Sequence, residues 1–281
     1  MTIKEAYKKA ELYLQKSNIE AASFEAMCMI EAVFGTDRTG QIINGDKKAD
    51  EESLALLDKM CKQRQNHEPL QYILGKWDFM GLELFVGKGV LIPRDDTQVV
   101  VNSCVKFLEK SKSKKILDLC SGSGAIAIAL ESIFPTADIT AVEKSDEAFF
   151  YLEKNIRHNN SKVKAVKGDI FCCHNDFADN EFDLIISNPP YIITDEIKTL
   201  QSEISFEPVL ALDGGADGYD FYRAIIISWT RKLRRGGMLA FELGEGQFDE
   251  VCRLMQENGY ENISKHYDLG SIIRAINGTV R

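Results

Sequence analysis

No C-x-x-C pair occurs in this 281-residue chain, and its seven cysteines, at 28, 61, 104, 120, 172, 173 and 252, are odd in number. Such a pattern suits free thiols in a reducing compartment and argues against a disulfide framework. The adjacent Cys172 and Cys173 beside His174 point apart and have no second ligand pair to complete four, so no metal site is expected. Long apolar runs are missing: none approaches the roughly 18 residues of a membrane span. The first residues, MTIKEAYKKAELY, hold no apolar core of a secretion signal. A soluble, cytoplasmic protein with no membrane partner is expected. Positive charge is also scarce. The net charge is −9 and the isoelectric point near 5.1. Residues 1–75 carry 10 Lys/Arg against 12 Asp/Glu, net −2, and residues 76–281 carry 24 against 31, net −7. With no Lys/Arg-rich stretch, tight sequence-independent nucleic-acid binding is disfavoured, and no direct nucleic-acid partner is expected. Internal repeats and low-complexity segments are absent as well.

What is present reads as two regions. Residues 1–75 look helical: Thr2 and Glu5 form a T-x-x-E capping box, and Ile3, Tyr7, Ala10 and Leu14 recur at helical spacing. A second helix is expected from about Ser23 to Phe34, stopped by Gly35, and a third carries Leu54, Leu57 and Cys61 on one face. Residues 76–94, KWDFMGLELFVGKGVLIPR, read as a β-hairpin linker in which Trp77 and Phe79 pack. From residue 95 a helix (97–109) is followed by alternating strands (115–119, 139–142, 163–166, 182–187, 238–243) and helices (124–132, 147–158, 219–233). The tail, 263–267 and 271–276, reads as a closing hairpin. This alternation predicts an α/β fold with a doubly wound, mostly parallel sheet over residues 95–281.

Ligands of such sheets bind outside the carboxyl ends of the strands. The first end is Asp118-Leu119-Cys120-Ser121-Gly122-Ser123-Gly124, where Gly122 and Gly124 allow a sharp turn and close approach to a ligand. Glu143 ends the next strand, 19 residues past Gly124, and suits a ribose diol. At the third end, Asp169 is placed to accept from an adenine amino group and Ile170 to pack on its ring. Ala127 stands where G-x-G-x-x-G has its third glycine, so a pyrophosphate is not indicated. S-adenosylmethionine has no phosphates, and a looser glycine turn suffices for it.

The fourth strand ends in Asn188-Pro189-Pro190-Tyr191. An amide or exocyclic amino nitrogen is planar and a poor nucleophile toward a methyl group. The Asn188 side-chain oxygen and the Pro189 carbonyl supply two acceptors for its N–H groups. The prolines fix the turn, and Tyr191 is placed to stack on the planar group. Catalysis by orientation needs no strong base, because the product cation is acidic.

DLCSGSG followed by NPPY resembles the class I S-adenosylmethionine-dependent methyltransferases that modify planar nitrogens. NPPY alone leaves open a second class of acceptor, the amino groups of adenine or guanine in DNA or RNA. EPLQYILG (68–75), Phe79, Gly81, Phe85, VLIPR (90–94), Phe206-Glu207-Pro208, ALDGGADG (211–218), Asp268-Leu269-Gly270 and Arg274 resemble the HemK/PrmC family. That resemblance implies an N-terminal helical bundle that docks the substrate (1–75), a hairpin linker (76–94) and a Rossmann-like methyltransferase domain (95–281). It implies methylation of the glutamine N5 in the Gly-Gly-Gln motif of class 1 peptide chain release factors, by a monomer. By position, Cys120, Ser121, Gly122, Ser123 and Gly124 face the methionine moiety of the cofactor, Glu143 the ribose, and Asp169 and Ile170 the adenine. Asn188, Pro189, Pro190 and Tyr191 hold the glutamine amide, with Asn188 touching both cofactor and substrate. Three departures stand out. Cys120 replaces the family's usual glycine, Glu143 its more usual aspartate, and Asp95-Asp96-Thr97-Gln98 the usual continuation after Ile-Pro-Arg.

Overall fold

Thr2 opens the first helix as its sequence dictates. Its hydroxyl accepts from the Glu5 N–H (3.2 Å), and the Glu5 carboxylate accepts from the Thr2 N–H (2.8 Å). The structure, a computed structural model, describes residues 1–111, 114–200 and 202–281. Contacts divide the chain into two units. The first, Met1–Lys76 with Gln201–Phe206, holds α1 (Ile3–Lys16), α2 (Ala22–Phe34), α3 (Arg38–Asn44), α4 (Glu51–Gln65) and α5 (Leu70–Leu74). Gly35 closes α2 in the left-handed region, as expected. The short α3 and α5 are not foreseen by periodicity, since each is too brief to repeat an apolar stripe. Ala6, Ala10, Leu14, Ala26, Met29, Ile30, Leu57 and Met60 form the buried interior. Arg64 is buried there on Glu25 (2.6 Å) and also pairs with Glu203, which belongs to the same unit.

In the second unit, β1 (Lys76–Phe79) and β2 (Leu82–Phe85) form the hairpin, which ends at Phe85, short of residue 94. Phe79 is 2% exposed, whereas Trp77 is only half-buried. After α6 (Thr97–Lys110) come β3 (Lys115–Leu119), α7 (Ala125–Ile133), β4 (Asp138–Glu143), α8 (Asp146–His158), β5 (Lys164–Lys167), β6 (Phe182–Ser187), α9 (Asp220–Trp229), β7 (Leu233–Glu242), α10 (Phe248–Glu257), β8 (Tyr260–Tyr267) and β9 (Ile273–Val280). Among the described residues these strands make a seven-stranded sheet in the order β5-β4-β3-β6-β7-β9-β8, parallel except for the antiparallel pairings of β9. The β7 strand starts at Leu233, ahead of the expected Met238. Its first half, LRRGG, carries no apolar run, and pairing of Leu233 with Phe182 makes it a strand.

Side-chain alternation sorts the sheet into two cores. Ile116, Leu184, Ile186, Met238 and Ala240 face α6 and α7. Leu117, Leu119, Ile185, Leu239 and Phe241 face Tyr222, Ile225 and Trp229 of α9 and Val251 and Met255 of α10. Both faces are covered, which is why β6 is buried at every residue.

Candidate active site

Register sets the site. Leu119 pairs with Val142 on one side and with Ser187 on the other, and Ser187 pairs with Phe241. The residues that follow these ends, from Cys120, Glu143 and Asn188, therefore emerge along one edge of the sheet. The chain leaves β3 toward β4 and β5, then returns to β6 on the opposite side. The gap above β3 and β6 is thus the topological switch point. A cleft opens there. Cys120, Ser121, Gly122, Ser123, Glu143, Asp169, Ile170, Asn188 and Pro190 line it; Gly124, Pro189 and Tyr191 do not. Apolar groups of Leu91, Pro93, Ile126, Val142, Leu210 and Phe221 complete the wall.

The glycine turn is held in a conformation few residues tolerate. Cys120 (φ +59°), Gly122 (+55°) and Gly124 (+84°) all lie in the left-handed region. At Gly124 space is also short, because an added Cβ would meet Leu152 Cδ1 at 2.6 Å and Ile128 Cδ1 at 3.3 Å. Gly124→Ala is expected to destabilise the protein by roughly 2–4 kcal/mol, combining backbone strain with overpacking. Urea unfolding reads this directly, and a loss under about 1 kcal/mol would contradict the tight fit.

Glu143 is 8% exposed, and both its oxygens are engaged by backbone. Oε2 accepts from the Gly122 N–H (2.9 Å) and Oε1 from the Ser145 N–H (2.7 Å). Each oxygen keeps a lone pair for another donor, so the carboxylate braces the glycine turn while remaining able to receive hydroxyls. Burial alone would raise the Asp169 carboxyl, but its pairing with Lys144 (2.9 Å) and the Phe171 N–H (3.0 Å) outweighs this and holds it below the usual range. Ile170 is buried, and its carbonyl accepts from the Trp229 indole (3.0 Å).

Asp118, passed over in the sequence except as part of the turn, is fully buried at the end of β3, with both carboxyl oxygens lacking a partner. Burial pushes it up to about 7, and the nearby Glu143 adds to the rise. A carboxyl raised on folding stabilises fully below its unfolded value near 3.8, and this stability drains away as pH rises through about 7. Asp118→Asn removes that dependence. The variant's stability advantage over wild type is therefore expected to grow from about pH 4 to about pH 7, at no more than about 1.4 kcal/mol per pH unit, and then level off. Unfolding titrations across that range check it; a difference that stays flat would refute it.

Asn188 is half-buried, and its amide nitrogen donates to Thr97 Oγ1 (3.4 Å). Pro189 and Pro190 are buried. The Tyr191 carbonyl accepts from Gln247 Nε2 (3.0 Å), its ring edge packs by Gly244, and burial pushes its phenol up to about 12. The ALDGGADG stretch is what braces this turn. A Cβ on Gly214 would fall 2.6 Å from Tyr191 Cα, and one on Gly218 2.6 Å from the Tyr191 carbonyl oxygen.

One site-bearing residue escapes a sequence reading. Asn155 on α8 is fully buried and accepts from the Phe85 N–H (2.6 Å). It donates to the Phe85 carbonyl (3.0 Å) and to the Ser123 carbonyl of the glycine turn (2.9 Å). Its signal was available: it completes the buried stripe Ala148, Leu152, Asn155, where an amide is out of place. Glu242 and Glu245 read equally as rim or solvated acids, yet Glu242 is 3% exposed and Glu245 is exposed. Among the described residues, no group of three or more His, Cys, Asp and Glu is placed to hold a metal ion, and no helix is long and apolar enough to cross a membrane.

Helices on both faces of this sheet order, with a cleft at the switch point, define the class I methyltransferase fold. A solved methyltransferase from Pyrococcus furiosus shares the fold with a TM-score of 0.50 at 21% identity, over 72% of this chain and 90% of that one. Residues 97–205 match the methyltransferase small domain and residues 5–75 the PrmC N-terminal domain. A release factor glutamine methyltransferase of Geobacter sulfurreducens is 38% identical over 269 residues, covering 95% of this chain and 93% of its own. Another, of Clostridium acetobutylicum, is 33% identical over 279 residues, covering 98% of each. The chain belongs to the release factor glutamine methyltransferase family.

Proposed function

We propose that this protein transfers the methyl group of S-adenosylmethionine to the side-chain amide nitrogen of the glutamine in the Gly-Gly-Gln motif of class 1 peptide chain release factors. The observation that carries this reading is Asn188-Pro189-Pro190-Tyr191 at the end of β6, beside the glycine turn of β3, in a chain related over nearly its full length to such enzymes. The cleft's residues fit the cofactor. Its wall is largely apolar, and Glu143 keeps acceptor capacity for a diol.

When bound, S-adenosylmethionine supplies an electrophilic methyl group on a sulfonium sulfur. The chain's own groups do the rest. Cys120 to Gly124 form the close-approach turn, and Glu143 receives the ribose hydroxyls. Asp169 and Ile170 take the adenine, with the Asp169 carboxylate kept ionised by Lys144. Asn188 Oδ1 and the Pro189 carbonyl accept from the two amide N–H groups and orient the nitrogen, and Tyr191 fixes the turn that carries them. The helical unit, with no catalytic motif of its own, docks the release factor.

Incubating the protein with labelled cofactor and a release factor tests this. Label is expected on wild-type substrate and absent when Gly-Gly-Gln becomes Gly-Gly-Ala. Equal label on both, or label on DNA or RNA instead, would overturn the reading.

A further inference from the structure

Glu242 ends β7 almost fully buried, and its Oε2 has no hydrogen-bond partner. Thr97, at the start of α6, and Asn188 lie near enough to favour its charged form, Thr97 the more strongly. Asn188 in turn donates its amide nitrogen to Thr97 Oγ1 at 3.4 Å. We propose that Glu242 is a positioning residue which, through the Thr97 hydroxyl, fixes which end of the Asn188 amide faces the methyl-accepting nitrogen. The inference rests on the methyl-transfer reading of the cleft and adds a residue to it.

An asparagine amide presents an acceptor oxygen and a donor nitrogen of nearly the same shape. Only the oxygen receives a substrate N–H. A carboxylate accepts and never donates, so a threonine hydroxyl that donates to it must accept from its other neighbour. Asn188 therefore turns its NH₂ toward Thr97, leaving Oδ1 for the substrate. A protonated Glu242 carries a donor of its own. The hydroxyl is then free to reverse, and the amide to present N–H against N–H. The other charged or titratable groups facing Glu242 are Asp96, Arg274 and the Tyr191 and Tyr222 phenols. Burial pushes the Glu242 carboxyl up to about 7, with Asp96 adding and Arg274 opposing, so the reversal falls in the neutral range.

Steady-state kinetics with a release factor, across about pH 5.5 to 9, tests this on wild type, Glu242→Gln, Thr97→Val and Thr97→Ser. Wild-type kcat is expected to rise with pH through a midpoint near 7 and then level. Glu242→Gln loses that limb and about tenfold or more in kcat, with the cofactor dissociation constant within about twofold. Thr97→Val gives the same loss, Thr97→Ser recovers it, and the double variant Glu242→Gln/Thr97→Val is no worse than either single one. A Glu242→Gln enzyme that keeps the acid limb and a kcat within about twofold of wild type overturns the inference, as does a loss confined to cofactor binding. A wild-type chain that methylates no release factor would sink the functional reading and this inference with it. An active wild type beside an unaffected Glu242→Gln sinks the inference alone.

Discussion

Asn188→Ala is expected to lower kcat for glutamine methylation about 10²–10³-fold, roughly 3–4 kcal/mol, while the cofactor dissociation constant moves by no more than about threefold. The asymmetry follows from what the side chain touches. An amide nitrogen attacks a methyl group poorly because its lone pair is delocalised, and acceptors for its two N–H groups matter most as positive charge grows there. In the proposed reading Asn188 Oδ1 is one of those acceptors, while most of the cofactor rests on the separate ends of β3, β4 and β5. Single-turnover rates with a release factor, set beside calorimetric binding of S-adenosylmethionine, separate the two effects. Unchanged turnover with a large loss of cofactor binding would remove Asn188 from the chemistry.

Asn155→Leu is expected to cost roughly 3–6 kcal/mol of folding stability, the largest loss among the single substitutions considered. Leucine fills a similar volume, so little cavity opens. It leaves the Phe85 N–H, the Phe85 carbonyl and the Ser123 carbonyl without their partner. Buried backbone groups stripped of a partner cost about 1–3 kcal/mol each. The Ser123 carbonyl belongs to the glycine turn, so cofactor binding is expected to weaken as well. Denaturant midpoints at unchanged m-value measure the first effect; a shift worth under about 1 kcal/mol would show that the hairpin and turn stand without this amide.

The strand ends that make the cleft were legible for a physical reason. Parallel strands covered on both faces need continuous apolar runs, and the glycine turn after KILDL, Glu143 after ITAV and NPPY after DLIIS mark where each run stops. The β7 strand was half-legible, because LRRGG is polar and becomes a strand only by pairing with β6. Glu242 illustrates the harder class. Its place at a strand end was readable, but its burial against Thr97 and Asn188 depends on three elements far apart in the chain. Tyr191 shows the same limit: NPPY located the turn, while the glycines that press on its backbone come from a stretch more than twenty residues later.

The Gln201–Phe206 segment has a consequence for synthesis. It counts with the helical unit, where Glu203 pairs with Arg64, 139 positions earlier in the chain. At ribosomal rates of about 5–20 residues per second, roughly 7–28 seconds separate the appearance of these two partners. During that interval the Arg64 guanidinium has only Glu25 from its mature ion cluster. The helices emerge first, yet the N-terminal unit completes its charge pairing only after β3 to β6, four of the seven strands, have been made.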